Sequence, residues 1–179
     1  MRLFDEQGYE ATTVEQIALA AEISTATFYR YYCDKEAVVL RDDSRALVEE
    51  VLAGRPADEP LADTIRALFE RVAVEMENDR QAMIVRLRLM CGVPGLRARQ
   101  WASRQDMIDL MASLVAPRVG TVADDHDLRL AITVALAAES ETVLHWARIG
   151  GTEPLAALLG RALATITPLF APWSGEAAL

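Results

Sequence analysis

The chain has 179 residues, 52 % of them hydrophobic, enough to bury a core without disulfides or a structural metal. A net charge of −9 argues against nucleic acid in bulk, so contact with phosphates has to rest on where individual Lys and Arg residues sit. Cys33 and Cys91 fall in different predicted elements, no apolar run reaches the ~18–20 residues of a bilayer span, and the opening MRLFDEQGYE lacks the plan of a signal peptide, so a cytoplasmic protein without a membrane segment is expected.

Alternating strand patterns are absent, and Gly and Pro fall at breaks. Residues 2–7 read as the end of a helix stopped at Gly8. Thr12 and Thr13 then offer caps, with Glu15 and Gln16 each three residues on, so either register makes a capping box. Val14, Ile17, Ala18 and Ala21 have helical spacing and mark a short second helix. Ser24 caps a third helix over 25–31, and Asp34 caps a fourth from Lys35 to about Leu52, ended by Gly54 and Pro56. Five further helices follow near 60–79, 81–91, 95–116, 125–149 and 153–170, and the last ten or so residues read as frayed.

The informative stretch is 8–39, GYEATTVEQIALAAEISTATFYRYYCDKEAVV. Two short helices joined by Glu22-Ile23-Ser24 match the spacing of a helix-turn-helix. Ile17, Ala18, Ala21, Ile23 and Phe28 are expected to form the small core that fixes the angle between them. Thr25, Ala26, Thr27, Tyr29 and Arg30 then face outward, and hydroxyls, a small residue and one Arg suit the floor of a major groove. Lys35 opens the next helix, where its charge and free N–H groups together grip a phosphate. Tyr31 and Tyr32 read as packing aromatics. Thr12 and Thr13 read as caps, with the Thr13 hydroxyl also reaching a phosphate.

The run TTVEQIALAAEISTATFYRYYCDKEAVV resembles the head of TetR-family repressors: a Thr-rich cap, an Ile-Ala pair, a Ser after the turn, an aromatic cluster, then Lys-Glu. The resemblance covers roughly residues 2–45. It implies an all-α protein with an N-terminal three-helix helix-turn-helix head at 1–45 and a C-terminal helical ligand-binding and dimerisation bundle at 46–179. It maps Ser24, Thr25, Ala26, Thr27, Tyr29 and Arg30 onto the DNA-reading helix and Lys35 onto the phosphate contact. Two departures stand out. Glu22 occupies the turn position where the family has Gly, so a left-handed backbone there carries strain on the order of 1 kcal/mol. The head also holds five basic groups against nine acids, and the chain begins inside the family's first helix, so either a basic arm precedes Met1, the favoured reading, or the head binds DNA weakly.

In the body, Phe69, Met76, Met83, Leu87, Met90, Cys91, Trp101, Met107 and Met111 mix apolar bulk with adaptable side chains, suited to a deformable ligand cavity or to ordinary core. Residues 80–104 contain Arg80, Arg86, Arg88, Arg97, Arg99 and Arg104 and no acid. That block either holds an anionic head group, Arg86 included, or forms a solvated face or a contact with the acidic head. The late Leu144-His145-Trp146 segment among long helices is similar to the acyl-CoA-binding branch of the family, which implies an amphipathic effector such as a fatty acyl thioester. Glu139, Glu141 and His145 interrupt an apolar run; Glu139 is a candidate polar handle for that ligand, and Glu141 and His145 are spaced to pair. Leu130, Val134, Val143, Trp146, Leu155, Leu158, Leu159, Leu163 and Ile166 give the last two long helices the apolar faces of a homodimeric four-helix interface. The dimer sets two reading helices over a near-palindromic DNA operator, and ligand changes their spacing by its differential affinity for the two arrangements.

Neither His126 nor His145 sits in a metal-ligand spacing, and phosphate loops, nucleophile elbows and dinucleotide fingerprints are missing, so no enzyme, metal or cofactor is expected. The alternative is a helical protein-binding adaptor or inhibitor that does not touch DNA.

Overall fold

A computed structural model describes residues 1–40 and 44–174, the side chains of 101 and 102 excepted. All regular structure in these residues is helical. The first helix, α1 (Arg2–Gln7), stops at Gly8, whose φ of 85° a side chain would strain. Thr12, with 1 % of its surface exposed, then turns inward: its hydroxyl donates to the Gly8 carbonyl at 2.7 Å and accepts from Gln7 Nε2 at 3.1 Å. This burial settles the capping register. Thr13, not Thr12, caps α2 (Val14–Ala20), with Gln16 N–H on Thr13 Oγ1 at 3.3 Å and Thr13 N–H on Gln16 Oε1 at 2.9 Å.

Ser24 caps α3 (Thr25–Tyr31) by accepting the Thr27 N–H at 3.0 Å. Ala18 and Phe28, each 1 % exposed, are the contact between α2 and α3, and the small Ala lets the two helices cross closely. Ile17 packs beside them half-buried, but Ala21 and Ile23 lie exposed, so the expected five-residue core is smaller. The turn gives the reason: Ile23 N–H closes on the Ala18 carbonyl at 3.0 Å, which directs both side chains away from the helix crossing. Tyr32 packs on Phe28 as expected, with ring centroids 5.4 Å apart, whereas Tyr31 is 69 % exposed and does not pack.

The fourth predicted helix is described as α4 (Lys35–Leu40) and α5 (Ser44–Ala53), the intervening 41–43 lying outside the described residues. Asp34 caps α4 through the Ala37 N–H at 2.6 Å. The body follows with α6 (Leu61–Asn78), α7 (Arg80–Gly92), α8 (Pro94–Val115), α9 (His126–Arg148) and α10 (Leu155–Ile166). Asp79 and Asp125 cap α7 and α9. Pro154 offers no cap to α10, and Glu77 on α6 accepts the Leu155 N–H at 2.6 Å instead.

The body is built around α9, which packs on α7, α8 and α10, while α10 also lies on α6. Trp146 is fully buried there and donates from Nε1 to the Glu153 carbonyl at 3.1 Å. Gly150 and Gly151, at φ 70° and 65°, turn the chain from α9 into α10, and a Cβ on Gly151 would meet Arg80 Cδ at 3.1 Å and Ile84 Cδ1 at 3.2 Å.

The C-terminal stretch departs from expectation. The α-helix ends at Ile166, and Thr167–Trp173 continues as a 3-10 helix that buries Phe170 and half-buries Trp173, so this part is not frayed; 175–179 lie outside the described residues. Leu155–Trp173 also has the length and composition to cross a membrane, contrary to the expectation that no segment does. Here it is a core element: its Leu155, Leu158, Leu159, Leu163, Ile166 and Phe170 are buried in the chain's own interior. Those leucines and Ile166, with Val143 and Trp146, are consequently spent inside one subunit and cannot form a seam between two.

Candidate nucleic-acid interface

Beneath α3, Phe28 anchors the helix; above it, Ser24, Thr25, Ala26, Tyr29 and Arg30 are exposed and Thr27 is half-buried. Tyr29 stands edge-on to Phe28 with 55 % of its surface free. The Arg30 guanidinium lies 5.0 Å from the centroid of the Tyr31 ring and donates to its hydroxyl at 3.4 Å, which orders an otherwise mobile cation beside the helix. Ser24 and Thr27 share a hydrogen bond of 2.9 Å between their hydroxyls, so each can redirect a donor or acceptor toward a ligand. Thr13 is exposed at the start of α2, its hydroxyl engaged in the capping box.

Lys35 is placed differently from a free phosphate hook. Its ammonium donates to the carbonyls of Tyr9 at 2.7 Å and Thr12 at 3.1 Å, and sits 4.4 Å from the Tyr9 ring centroid. It therefore ties the α1–α2 loop to the start of α4, and any phosphate would share its charge with these acceptors. Burial, with the negative charges of Glu36, Glu10 and Asp34, pushes the Tyr9 phenol up to about 12. The Tyr9 hydroxyl is buried without a hydrogen-bond partner among the described residues.

The turn before α3 carries the strain its sequence implied. Glu22 has φ 56°, the one non-glycine residue at positive φ among those described. The head thus holds its reading surface at an energetic cost that a glycine would remove.

Three arginines of the body reach this head and the segment below it. Arg99 on α8 donates to Glu36 Oε2 at 2.8 Å and Asp34 Oδ2 at 3.1 Å. Hydrogen bonding to Glu36, added to that from Asp34, holds the Arg99 guanidinium further above its usual range. At Asp34 burial acts upward, but the Ala37 N–H, Cys33 and Arg99 together hold the carboxyl below the usual aspartate value. Arg86 on α7 donates from Nε to the Val39 carbonyl at 2.6 Å, and Arg118 donates to the carbonyls of Leu52 and Arg55, each at 2.8 Å. Of the acid-free arginine block, Arg99 thus makes the contact with the acidic head. Sequence reasoning named Arg99 only as part of that block and missed Arg118; no local pattern announces a pairing across so many residues.

The residues expected around an effector are gathered in the body but not around an open cavity. Phe69, Leu87, Met90 and Met111 are buried in the shared core; Met83, Met107, Arg86 and Glu139 are half-buried; the Trp101 side chain lies outside the described residues. Two surface grooves, of about 310 and 400 Å³, lie elsewhere: one along α9 and α10 beside Glu141, His145 and Arg161, the other between α5 and α6 beside Val51, Gly54 and Val74. Glu141 pairs with Arg148, and not with His145 as its spacing suggested.

Residues 1–41 match the model of the bacterial regulatory proteins of the tetR family, and residues 59–171 match the MftR C-terminal domain. The transcriptional regulator TcmR of Streptomyces glaucescens is 35 % identical over 97 % of this chain and 82 % of its own length. This chain belongs to the TetR family. It is a DNA-binding transcription regulator that works as a dimer, and its relatives are regulators, not enzymes. The structure of Thermus thermophilus FadR, a TetR-family repressor in complex with lauroyl-CoA, superposes with a TM-score of 0.63 at 29 % identity, covering 93 % of this chain and 89 % of that one. Bacillus subtilis FadR in complex with stearoyl-CoA shares the fold, with a TM-score of 0.66 at 19 % identity and 92 % of each chain covered. The TetR-family regulator thus keeps its head motif and its body in one continuous likeness.

Proposed function

We propose that this regulator is a cytoplasmic repressor, residues 1–45 reading a near-palindromic operator and residues 46–179 binding an amphipathic effector of the fatty acyl-CoA class that releases it. The observation that carries the DNA half is the capped, outward-facing α3, rigidly seated on Phe28. Ser24, Thr25, Ala26, Thr27, Tyr29 and Arg30 meet bases and phosphates in the major groove, with Thr13 and Lys35 on the backbone. Half-sites lie about one DNA turn (~34 Å) or a related distance apart.

The dimer seam uses the outer faces of α9 and α10. Leu130, Ala137, Glu141 and His145 on one helix and Ala157, Gly160 and Ala164 on the other are exposed in the single chain. The small Ala137, Ala157, Gly160 and Ala164 allow two copies to approach closely in a four-helix arrangement.

The effector half is supported by the methionine-rich core about Phe69, Met83, Leu87, Met90, Met107 and Met111, by Arg86 and Glu139 at its edge, and by the acyl-CoA complexes of the two FadR proteins. A tail entering there has to part α6, α7 and α8, and α7 and α8 are the helices whose arginines hold α4. The ligand acts only to the extent that it favours the parted state.

The experiment is selection of bound duplexes from a random pool, then fluorescence anisotropy on the selected site. Affinity should fall steeply with salt, Thr27→Ala and Tyr29→Ala should each weaken it about tenfold, and lauroyl-CoA should release it. Unchanged affinity in both variants would remove α3 as the reader; release by no acyl-CoA would remove the effector class.

A further inference from the structure

Asp34 and Glu36 flank Lys35 only a few residues beyond Arg30, in a head that already carries more acids than bases. Both carboxylates lie well within the ~8–10 Å over which charge is felt at moderate salt from the α4 start they share with Lys35. Left unpaired, they would oppose the approach of phosphates to the C-terminal side of the reading helix. They are not left unpaired. A single guanidinium from the body, Arg99, spans them, with 2.8 Å to Glu36 Oε2, 3.1 Å to Asp34 Oδ2 and 3.4 Å to Asp34 Oδ1. One terminal nitrogen, Nη1, makes all three contacts, a point attachment that a lysine ammonium could reproduce in part. The three groups are each partly exposed, so the cluster is a poor source of fold stability.

We propose that Arg99 is a positioning residue for operator binding: its guanidinium, bridging Asp34 and Glu36 on either side of Lys35, masks two acids from the DNA and fixes the head on α8. Arg86, on the carbonyl of Val39, grips the far end of the same short helix, so α4 is held at both ends by the body. It presupposes that α3 is the reading helix, as proposed above. Arg99 contacts no base in this scheme; it acts through the two acids.

The test is a mutant cycle on the full-length protein and a selected operator, read by anisotropy over a salt series. Arg99→Gln should weaken binding about five- to tenfold, the effect of two unmasked carboxylates opposing nearby phosphates at moderate salt, and Arg99→Lys should recover part of it. In an Asp34→Asn/Glu36→Gln background, where Asn still caps α4, the same Arg99→Gln change should alter affinity by less than about twofold, because nothing remains to mask. A purely structural role would instead lower affinity only together with thermal stability in the parent background, whereas masking lowers affinity with the melting temperature of Arg99→Gln close to the parent's. Arg99→Gln binding within about twofold of the parent overturns the proposal, as does an equal loss with and without the acids. Thr27→Ala and Tyr29→Ala run alongside separate the two claims: if both leave affinity unchanged, the reading helix is misassigned, whereas the arginine cycle fails or succeeds on its own coupling.

Discussion

Replacing Glu22 with glycine isolates the strain stored in the turn ahead of the reading helix. Glu22 sits at φ 56°, where a Cβ costs about 1–2 kcal/mol for an L-residue. Glycine removes that cost but enlarges the unfolded ensemble, which returns about 0.5–1 kcal/mol. The net gain therefore lies between about 0 and 1.5 kcal/mol, a rise of up to roughly 6 °C in Tm for a chain of this size. The assay is circular-dichroism melting at one protein concentration, because dimerisation makes Tm concentration-dependent. Glu22→Gln removes the charge and keeps the Cβ, and Glu22→Asn tolerates the left-handed region better than either. The expected order is Gly and Asn above Gln, with Gln near the parent. A Glu22→Gln melt that rises as far as Glu22→Gly would show charge relief, not backbone relief, and a fall in Glu22→Gly would refute stored strain altogether.

Tyr9→Phe removes a buried hydroxyl that has no partner, so stability should rise by up to about 1 kcal/mol in urea titration while the ring keeps its contact with Lys35. The same change tests pH dependence: a phenol raised from 10.0 to about 12 in the folded state contributes stability below pH 10 that disappears as pH climbs through 12, and the phenylalanine variant should lack that alkaline loss. Lys35→Met strips the carbonyls of Tyr9 and Thr12 of a charged donor, and should cost about 2 kcal/mol with a matching drop in operator affinity by anisotropy. Trp146→Phe leaves the Glu153 carbonyl without its donor and opens space in the body core; we expect about 2 kcal/mol less stability by denaturant midpoint, with the dimer retained by light scattering.

Much of the head was legible because its signals are local. A cap, its capping partner and the hydrophobic spacing lie within a few residues of one another, so Ser24, Asp34 and the turn at Glu22 could be placed from sequence. The choice between Thr12 and Thr13 was not local: it depends on the Gly8 carbonyl and Gln7 side chain that draw Thr12 inside. Helix bounds in the body fell close to the breaks at Asn78–Asp79, Gly92–Pro94 and Gly150-Gly151 for the same local reason. The faces of those helices were harder. An apolar stripe on α10 looks alike whether it meets its own subunit or another, and only the packing of α6 against it assigns Leu158, Leu159 and Leu163 to the interior. The pairing of Glu141 with Arg148 instead of His145, and the reach of Arg99 to the head, are likewise choices among several partners that spacing permits.

The tether from Lys35 to the carbonyls of Tyr9, Glu10 and Thr12 has a mechanical consequence. Those carbonyls belong to the strap that leads straight into Thr13 and α2, so the front of α4 cannot swing without dragging the strap, and α2 and α3 with it. The tie makes α4 the handle through which a displacement at α7 or α8 would be passed to the face where Tyr29 and Arg30 stand.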